Sequence, residues 1–441
     1  MVIGKSSSIR QCFPDRASQK ACYRFLNNEK VSESALIEEL TKRSGNFTSG
    51  RHLLVIQDTT SFNLNNHYYR IKKANGIGTI EDNFSLGFFL HASMIIDAFS
   101  GSMLGFSDVQ LWNRVYDDPL RASRIAKLPI EEKESFKWIK ACERTKDNCP
   151  EAASLTFIED RDGDIYEQFA RITDERTNFV IRACKNRILS TGNKLYEMLE
   201  EVPCAGSYEL DLADNKRKKK LGRTAHIEVR FCKVCINASE NNINKRIPKN
   251  LEVYAVQASE VGYNGKDKIC WRLLTTHCIE RYDQAIDIIE LYRKRWHIEQ
   301  LFRLLKKQGF EMEESELETG WALRKLAILA LNASLRIMQL MHATEDEAAQ
   351  PLSEVFTVSE QRCLEQANQQ LNGSSAKQMN PYKPLSLIWA RWIIARLGGW
   401  KSYVSQRNAG PITLKRGLDN FNQMYYGWCL ALKYFEDVGT Q

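Results

Sequence analysis

The chain has 441 residues, with 62 Lys and Arg against 55 Asp and Glu, for a net charge of +7. Residues 181–250 hold 15 of the basic and 8 of the acidic side chains, so this stretch carries the whole excess and the remainder balances at 47 against 47. That distribution excludes a uniformly cationic coat and a polybasic tail, and it points to one localised surface for an anionic partner, nucleic acid first.

At 43% hydrophobic and 27% charged residues, the composition is that of an ordinary globular chain, long enough for two or three units. The first residues, MVIGKSSSIRQCFPDR, lack the apolar stretch of a secretory signal, so a cytoplasmic location is expected. The twelve cysteines are scattered and are expected to be reduced thiols. Cys232 and Cys235 form a CxxC spacing inside an alternating run that reads as a strand. A zinc site completed by His226, His277 or Cys278 is the alternative.

In chain order, residues 1–45 read as short helices broken at Asn27-Asn28. The period then changes. Residues 51–62 (RHLLVIQDTTSF) form an apolar strand with a polar end, and 85–98 and 103–112 form two more, joined by the turn Phe99-Ser100-Gly101-Ser102. Residues 130–144 are helical in pattern. Residues 154–159 form a strand running into Asp160, 164–172 a short helix capped by Asp162 or Asp164, and 178–184 another strand. A β-rich stretch over 206–278 contains the cationic run Lys216, Arg217, Lys218, Lys219 and Lys220. The spacing predicts one long helix over 282–307. Residues 322–341 are apolar but punctuated by Arg324, Lys325 and Arg336, which reads as a core helix rather than a membrane span. An acidic linker at 343–350 leads to a last helical region, with a loop over 371–384. The order implies an α/β fold with a mixed sheet. The expected division is 1–45, a catalytic region at 46–345 with a β-rich insertion, and a helical region at 350–441.

Three carboxylates stand out by context. Asp58 ends one apolar strand and Asp160 another, and Glu299 lies in the long helix. Strand-end carboxylates can point into a crevice while the strand fixes their backbone. Such a set suits hard divalent cations, Mg²⁺ or Mn²⁺. The plain alternative for either aspartate is a turn or helix cap. Tyr292, Arg295, Glu299 and Lys306 fall at offsets 0, 3, 7 and 14, which on one continuous helix is a single stripe. A solvated face would also be polar, but Ile288, Ile289, Trp296, Leu301, Leu304 and Leu305 can anchor the helix elsewhere, which leaves the stripe to face a groove.

The pattern Tyr292-x2-Arg295-x3-Glu299-x6-Lys306 resembles the YREK signature of the insertion-sequence-four family of cut-and-paste DDE transposases. Further segments resemble that family in the same order: Tyr23-Arg-Phe-Leu26, Asp58-Thr-Thr-Ser61, Asp160-Arg-Asp-Gly-Asp164, Phe179-Val-Ile-Arg182, Trp271-Arg-Leu-Leu-Thr275 and Ala395-Arg-Leu-Gly-Gly399. The resemblance implies a ribonuclease-H-like core with a β-rich insertion before the last catalytic helix. It implies catalytic metal ligands at Asp58, Asp160 and Glu299, and Mg²⁺ as cofactor, with Mn²⁺ able to substitute. It further implies phosphate contacts from Tyr292, Arg295 and Lys306, a flipped base stacked on Trp271, and double-stranded DNA held by a homodimer, with a hairpin intermediate. Arg182, Arg187 and Lys216–Lys220 are expected to add phosphate contacts. The stretch before Tyr23 is shorter than the family's end-recognition region. A non-catalytic regulator acting through mixed dimers is therefore the alternative, and a metal nuclease of the same fold a third reading.

Overall fold

The computed structural model describes residues 9, 15–71, 76–81, 84–114, 128–212, 222–238, 247–346, 349–374, 378–403 and 407–439, with side chains described as far as 432. The cationic run Lys216, Arg217, Lys218, Lys219 and Lys220 lies outside the described residues. The chain divides into two compact units, one of residues 1–48, 59–117 and 298–441, the other of 49–58 and 118–297.

Strand β1 (His52–Asn63) contributes to both units, because the division falls after Asp58. The second unit holds α3 (Phe136–Asn148), β5 (Ser154–Glu159), α4 (Tyr166–Ile172), β6 (Thr177–Arg182), α5 (Leu195–Glu201), β7 (Gly206–Leu212), β8 (Arg223–Asn237), β9 (Asn250–Val261), β10 (Cys270–Thr275) and α6 (Tyr282–Arg293). Its strand order is β1-β5-β6-β10-β9-β8-β7. The β1, β5 and β6 strands run parallel, and β6 onward is antiparallel. The parallel strands are continuous apolar runs, as buried parallel strands are: Leu53 to Ile56, Leu155 to Ile158 and Phe179 to Ile181 hold almost no exposed surface. In the antiparallel meander β7-β8-β9 the pattern alternates instead, with Ala225, Ile227 and Val229 buried between more exposed neighbours.

The first unit holds α1 (Arg16–Asn27), α2 (Glu33–Gly45), β2 (Gly78–Thr79), β3 (Leu86–Asp97), β4 (Met103–Trp112), α7 (Trp296–Lys306, from Ile298 onward), α8 (Gly320–Met341), α9 (Val358–Leu371), α10 (Leu387–Leu397) and α11 (Pro411–Gly439). Here β3 pairs antiparallel with β2 and β4. Within this unit β3 also neighbours β1, which contributes its residues from Thr59 onward. The α/β class and mixed sheet expected from the sequence are therefore present.

Helix α8 packs on α1, α2, β4, α10 and α11, and is buried nearly all round. Its two most buried cations, Arg324 and Lys325, both have hydrogen-bond partners, and Arg324 has a counter-charge. Arg324 donates to Glu33 Oε2 (2.7 Å) and the Leu111 carbonyl (2.8 Å), and Lys325 donates to the Asn28 carbonyl (2.8 Å). Among the described residues no helix is long and apolar enough to cross a membrane. Close approach of α2 to β4 requires glycine at 105. A side chain there would meet Ser44 Oγ, which caps the contact by accepting from Phe106 N at 2.9 Å.

Two expected elements differ. Residues 130–144 are not one helix: a short 3-10 turn at Ile130–Glu132 precedes α3, which runs to Asn148. The helix expected over 282–307 is two, α6 and α7. Lys294, Arg295 and His297 donate to the carbonyls three residues back, at Leu291, Tyr292 and Lys294, so the helical ladder tightens into a turn there. No glycine or proline marks this break.

Candidate active site

Strand register builds the site. β1 and β5 pair in parallel up to Ile56↔Ile158, and β5 and β6 up to Glu159↔Ile181. Two residues past Ile56 and Ile158 stand Asp58 and Asp160, so the period of two puts both on one face, just beyond the paired stretch of β1 and β5; Asp58 lies midway along β1, and Asp160 follows the last residue of β5. Arg182, the last residue of β6, continues the row: its Nη1 lies 3.9 Å from Asp160 Oδ1.

The end of α6 closes over this row. Tyr292, almost fully buried in its last turn, donates from its hydroxyl to Asp160 Oδ1 at 3.2 Å. Burial, then the Asp160 charge, pushes the Tyr292 phenol up to about 12, against the pull of Arg295 and Arg182, so it stays a donor. Arg295, in the turn after α6, donates from Nη1 to Asp58 Oδ2 at 3.1 Å, and its Nη2 is 3.8 Å from Asp160 Oδ2. One guanidinium thus lies between the two carboxylates. The Trp271 ring, on β10, meets the Tyr292 ring edge-on with centroids 6.0 Å apart. Asp58, Asp160, Arg182, Trp271, Tyr292 and Arg295 form one cluster in the second unit.

The other expected residues are placed differently. Glu299, in the first turn of α7, and Lys306, in its last, belong to the first unit. The Lys306 ammonium lies 3.8 Å from Glu313 Oε1 and 5.8 Å from the centre of the Phe62 ring. Because the helix breaks at Lys294-Arg295, the single stripe expected for Tyr292, Arg295, Glu299 and Lys306 is corrected: the first two and the last two come from separate segments. Among the described residues no three His, Cys, Asp or Glu side chains form a group that could hold a metal ion. Asp162 and Asp164 do not cap α4, which begins at Tyr166 without a side-chain cap. Asp164 instead accepts from Cys184 N at 2.8 Å and from the Arg187 guanidinium, so Arg187 is bound to a buried carboxylate. Cys232 and Cys235 sit three apart on β8, which turns them to opposite faces of the sheet, and the zinc alternative falls with that.

A second row lies on the opposite face, beneath the site. Gln57 and Glu159, the neighbours of the two aspartates, both point into the core. Gln57 Nε2 donates to Cys142 Sγ (3.3 Å), and Gln168 Nε2 donates to Glu159 Oε2 (2.5 Å). Complete burial pushes the Glu159 carboxyl well above its usual range. Neither Gln57 nor Glu159 was among the residues expected at the site. The signal for this row was present in the same alternation: a strand that turns Asp58 and Asp160 outward must turn Gln57 and Glu159 inward.

Residues 156–335 match the family model of the transposase DDE domain, a span that includes Asp160, Arg182, Trp271, Tyr292, Arg295, Glu299 and Lys306 but not Asp58. Among solved structures the chain is similar to a piggyBac transposase in a synaptic complex with hairpin DNA, determined by cryo-EM. The likeness has a TM-score of 0.36 and 11% identity, over 74% of this chain. This chain spans about half of that one, 55% of its length.

Proposed function

We propose that this chain is a DNA transposase that cleaves the ends of a mobile element and joins them to target DNA, with a divalent metal at a DDE site. The observation that carries the reading is the pairing of Asp58 and Asp160. They stand just beyond the parallel pairing of two adjacent strands, face the same way, and both lie against the Arg295 cation. An all-oxygen donor pair converging on one positive group fits a hard divalent ion, Mg²⁺ or Mn²⁺. The transposase DDE domain match over residues 156–335 supports the same chemistry.

Asp58 and Asp160 would hold the metal. Glu299 would be the third ligand, by its place in the Tyr292-to-Lys306 signature. A bound metal supplies Lewis-acid activation of the attacking oxygen and stabilisation of the leaving one. Tyr292 holds Asp160 in its rotamer by donating to Oδ1. Arg295 and Lys306 bind phosphates flanking the cleaved bond, and Trp271 offers a platform for an unstacked base. Lys216–Lys220 and Arg182 add phosphate contacts. The working form is a homodimer on paired ends, with a hairpin intermediate in the cut-and-paste sequence and a cytoplasmic, nucleoid-associated location.

The test is Glu299→Gln assayed on the element's terminal repeats in Mg²⁺. Cleavage is expected to disappear while a gel shift shows end binding retained, because the substitution removes a metal ligand without removing a phosphate contact. Continued nicking by this variant would sink the assignment.

A further inference from the structure

Asp160 is gripped unequally by its neighbours. Its Oδ1 faces the Tyr292 hydroxyl at 3.2 Å and the Arg182 guanidinium at 3.9 Å. Its Oδ2 faces Arg295, and so does Oδ2 of Asp58. Arg295 is well buried, with 13% of its side-chain surface exposed. Two carboxylates on adjacent strands repel each other, and a guanidinium between them relieves that repulsion. A divalent cation held by the two aspartates would draw on the same carboxylates. A cation held by both aspartates and a guanidinium lying between them repel each other, so the binding of one weakens the hold of the other. The grip is also uneven: 3.1 Å to Asp58 is a hydrogen bond, whereas 3.8 Å to Asp160 is an ion pair without one. Arg295 stands in the turn between two helices, on a side chain long enough to re-aim its head.

We propose that Arg295 is an exchangeable counter-ion, bound to Asp58 and Asp160 until a divalent cation takes their oxygens, and then turned out to a DNA phosphate. This rests on the metal reading above and adds an order of events to it: cation binding and phosphate binding help each other through one side chain. The coupling is reciprocal, as linkage requires.

Mn²⁺ binding to the full chain without DNA, followed by the electron paramagnetic resonance of free Mn²⁺, tests the exchange. Arg295→Gln removes the competitor and is expected to bind Mn²⁺ about tenfold more tightly than the parent chain. Arg182→Gln, which removes a like charge from the other oxygen, is expected to gain less. A second arm measures binding of a short duplex with Ca²⁺ and with EDTA. Ca²⁺ should strengthen binding in the parent chain by a larger factor than in Arg295→Gln. Unchanged or weaker Mn²⁺ binding by Arg295→Gln would overturn the exchange. So would equal gains in the two variants, which would reduce the effect to net charge. If circular dichroism shows Arg295→Gln unfolded, Arg295→Lys serves in its place. A point charge cannot bridge both carboxylates, so tighter Mn²⁺ binding is again expected, and no change again overturns the proposal. Asp58→Asn and Asp160→Asn separate the two levels: if the parent chain's Mn²⁺ binding survives both, the metal reading fails, whatever Arg295→Gln does.

Discussion

At the scale of single residues, the site is a consequence of alternation along two strands. Asp58 and Asp160 turn outward because Ile56 and Ile158 pair in register beneath them. Gln57 and Glu159 turn inward for the same reason, and the inner row bears the cost of burial. Gly163 is part of that arrangement. A Cβ at 163 would collide with Glu159 Oε2 and lie 2.8 Å from the Glu159 Cβ, against a side chain with no exposed surface. Gly163→Ala is therefore expected to lower stability by about 1–3 kcal/mol, the usual cost of overpacking. It should also shift the strand end that carries Asp160. Urea denaturation of the two proteins checks the first expectation, and an unchanged midpoint would show that the loop yields at no cost. Arg187 gives the opposite lesson. Its sequence position suggested a phosphate contact, but its guanidinium is bound to the buried Asp164 carboxylate, twenty-three residues away. Charge type is visible in a sequence, whereas whether that charge already has a partner is not.

At the scale of elements, strands were the most legible. The runs that end at Trp112 and at Glu159 have the bounds their apolar patterns indicate, Met103–Trp112 and Ser154–Glu159. The start of α9 carries a chemical mark that the sequence reading did not use. Thr357 accepts from Glu360 N, and Glu360 Oε2 in return accepts from Thr357 N at 2.8 Å, a reciprocal box that starts α9. Thr357→Ala should cost about 1 kcal/mol, read as a lower thermal midpoint. Glu360→Ala should cost more, because Glu360 also takes the Arg336 guanidinium at 2.7 Å. Equal losses would show that this ion pair contributes nothing. The break between α6 and α7 was not legible. Residues 282–307 keep a helical period throughout, and no breaker stands at 294 or 295. What holds Arg295 in the turn is a pair of carboxylates from distant strands, and propensity carries no trace of them.

At the scale of the whole molecule, charge is the feature that reaches furthest. The excess of +7 sits within residues 181–250. Part of it is already neutralised inside the second unit, where Arg223 binds Glu260 and Lys233 binds Glu252. Arg182 and Arg187 are likewise engaged with aspartates. Lys216–Lys220 is the densest part of that excess and the clearest place to test for phosphate binding. Changing these five residues to Gln should flatten the salt dependence of DNA binding by about 0.9 in slope for each phosphate left without its cation. It should do so for any duplex sequence, since backbone contacts position without reading bases. An unchanged slope would remove the run from the interface.

The sequence by itself determined the mixed α/β character, the identity of the outward aspartates and the burial of the long apolar helix. Each of these follows from periodicity, which neighbours along the chain impose on one another through burial. Only the tertiary structure decided that Asp58 and Asp160 share one arginine, that Tyr292 fixes one oxygen of Asp160, and that Arg187 is already paired. The bond from Arg295 to Asp58 spans 237 residues. Its partner is chosen by strand register and by where a helix ends, and neither is a local property of the residues that meet.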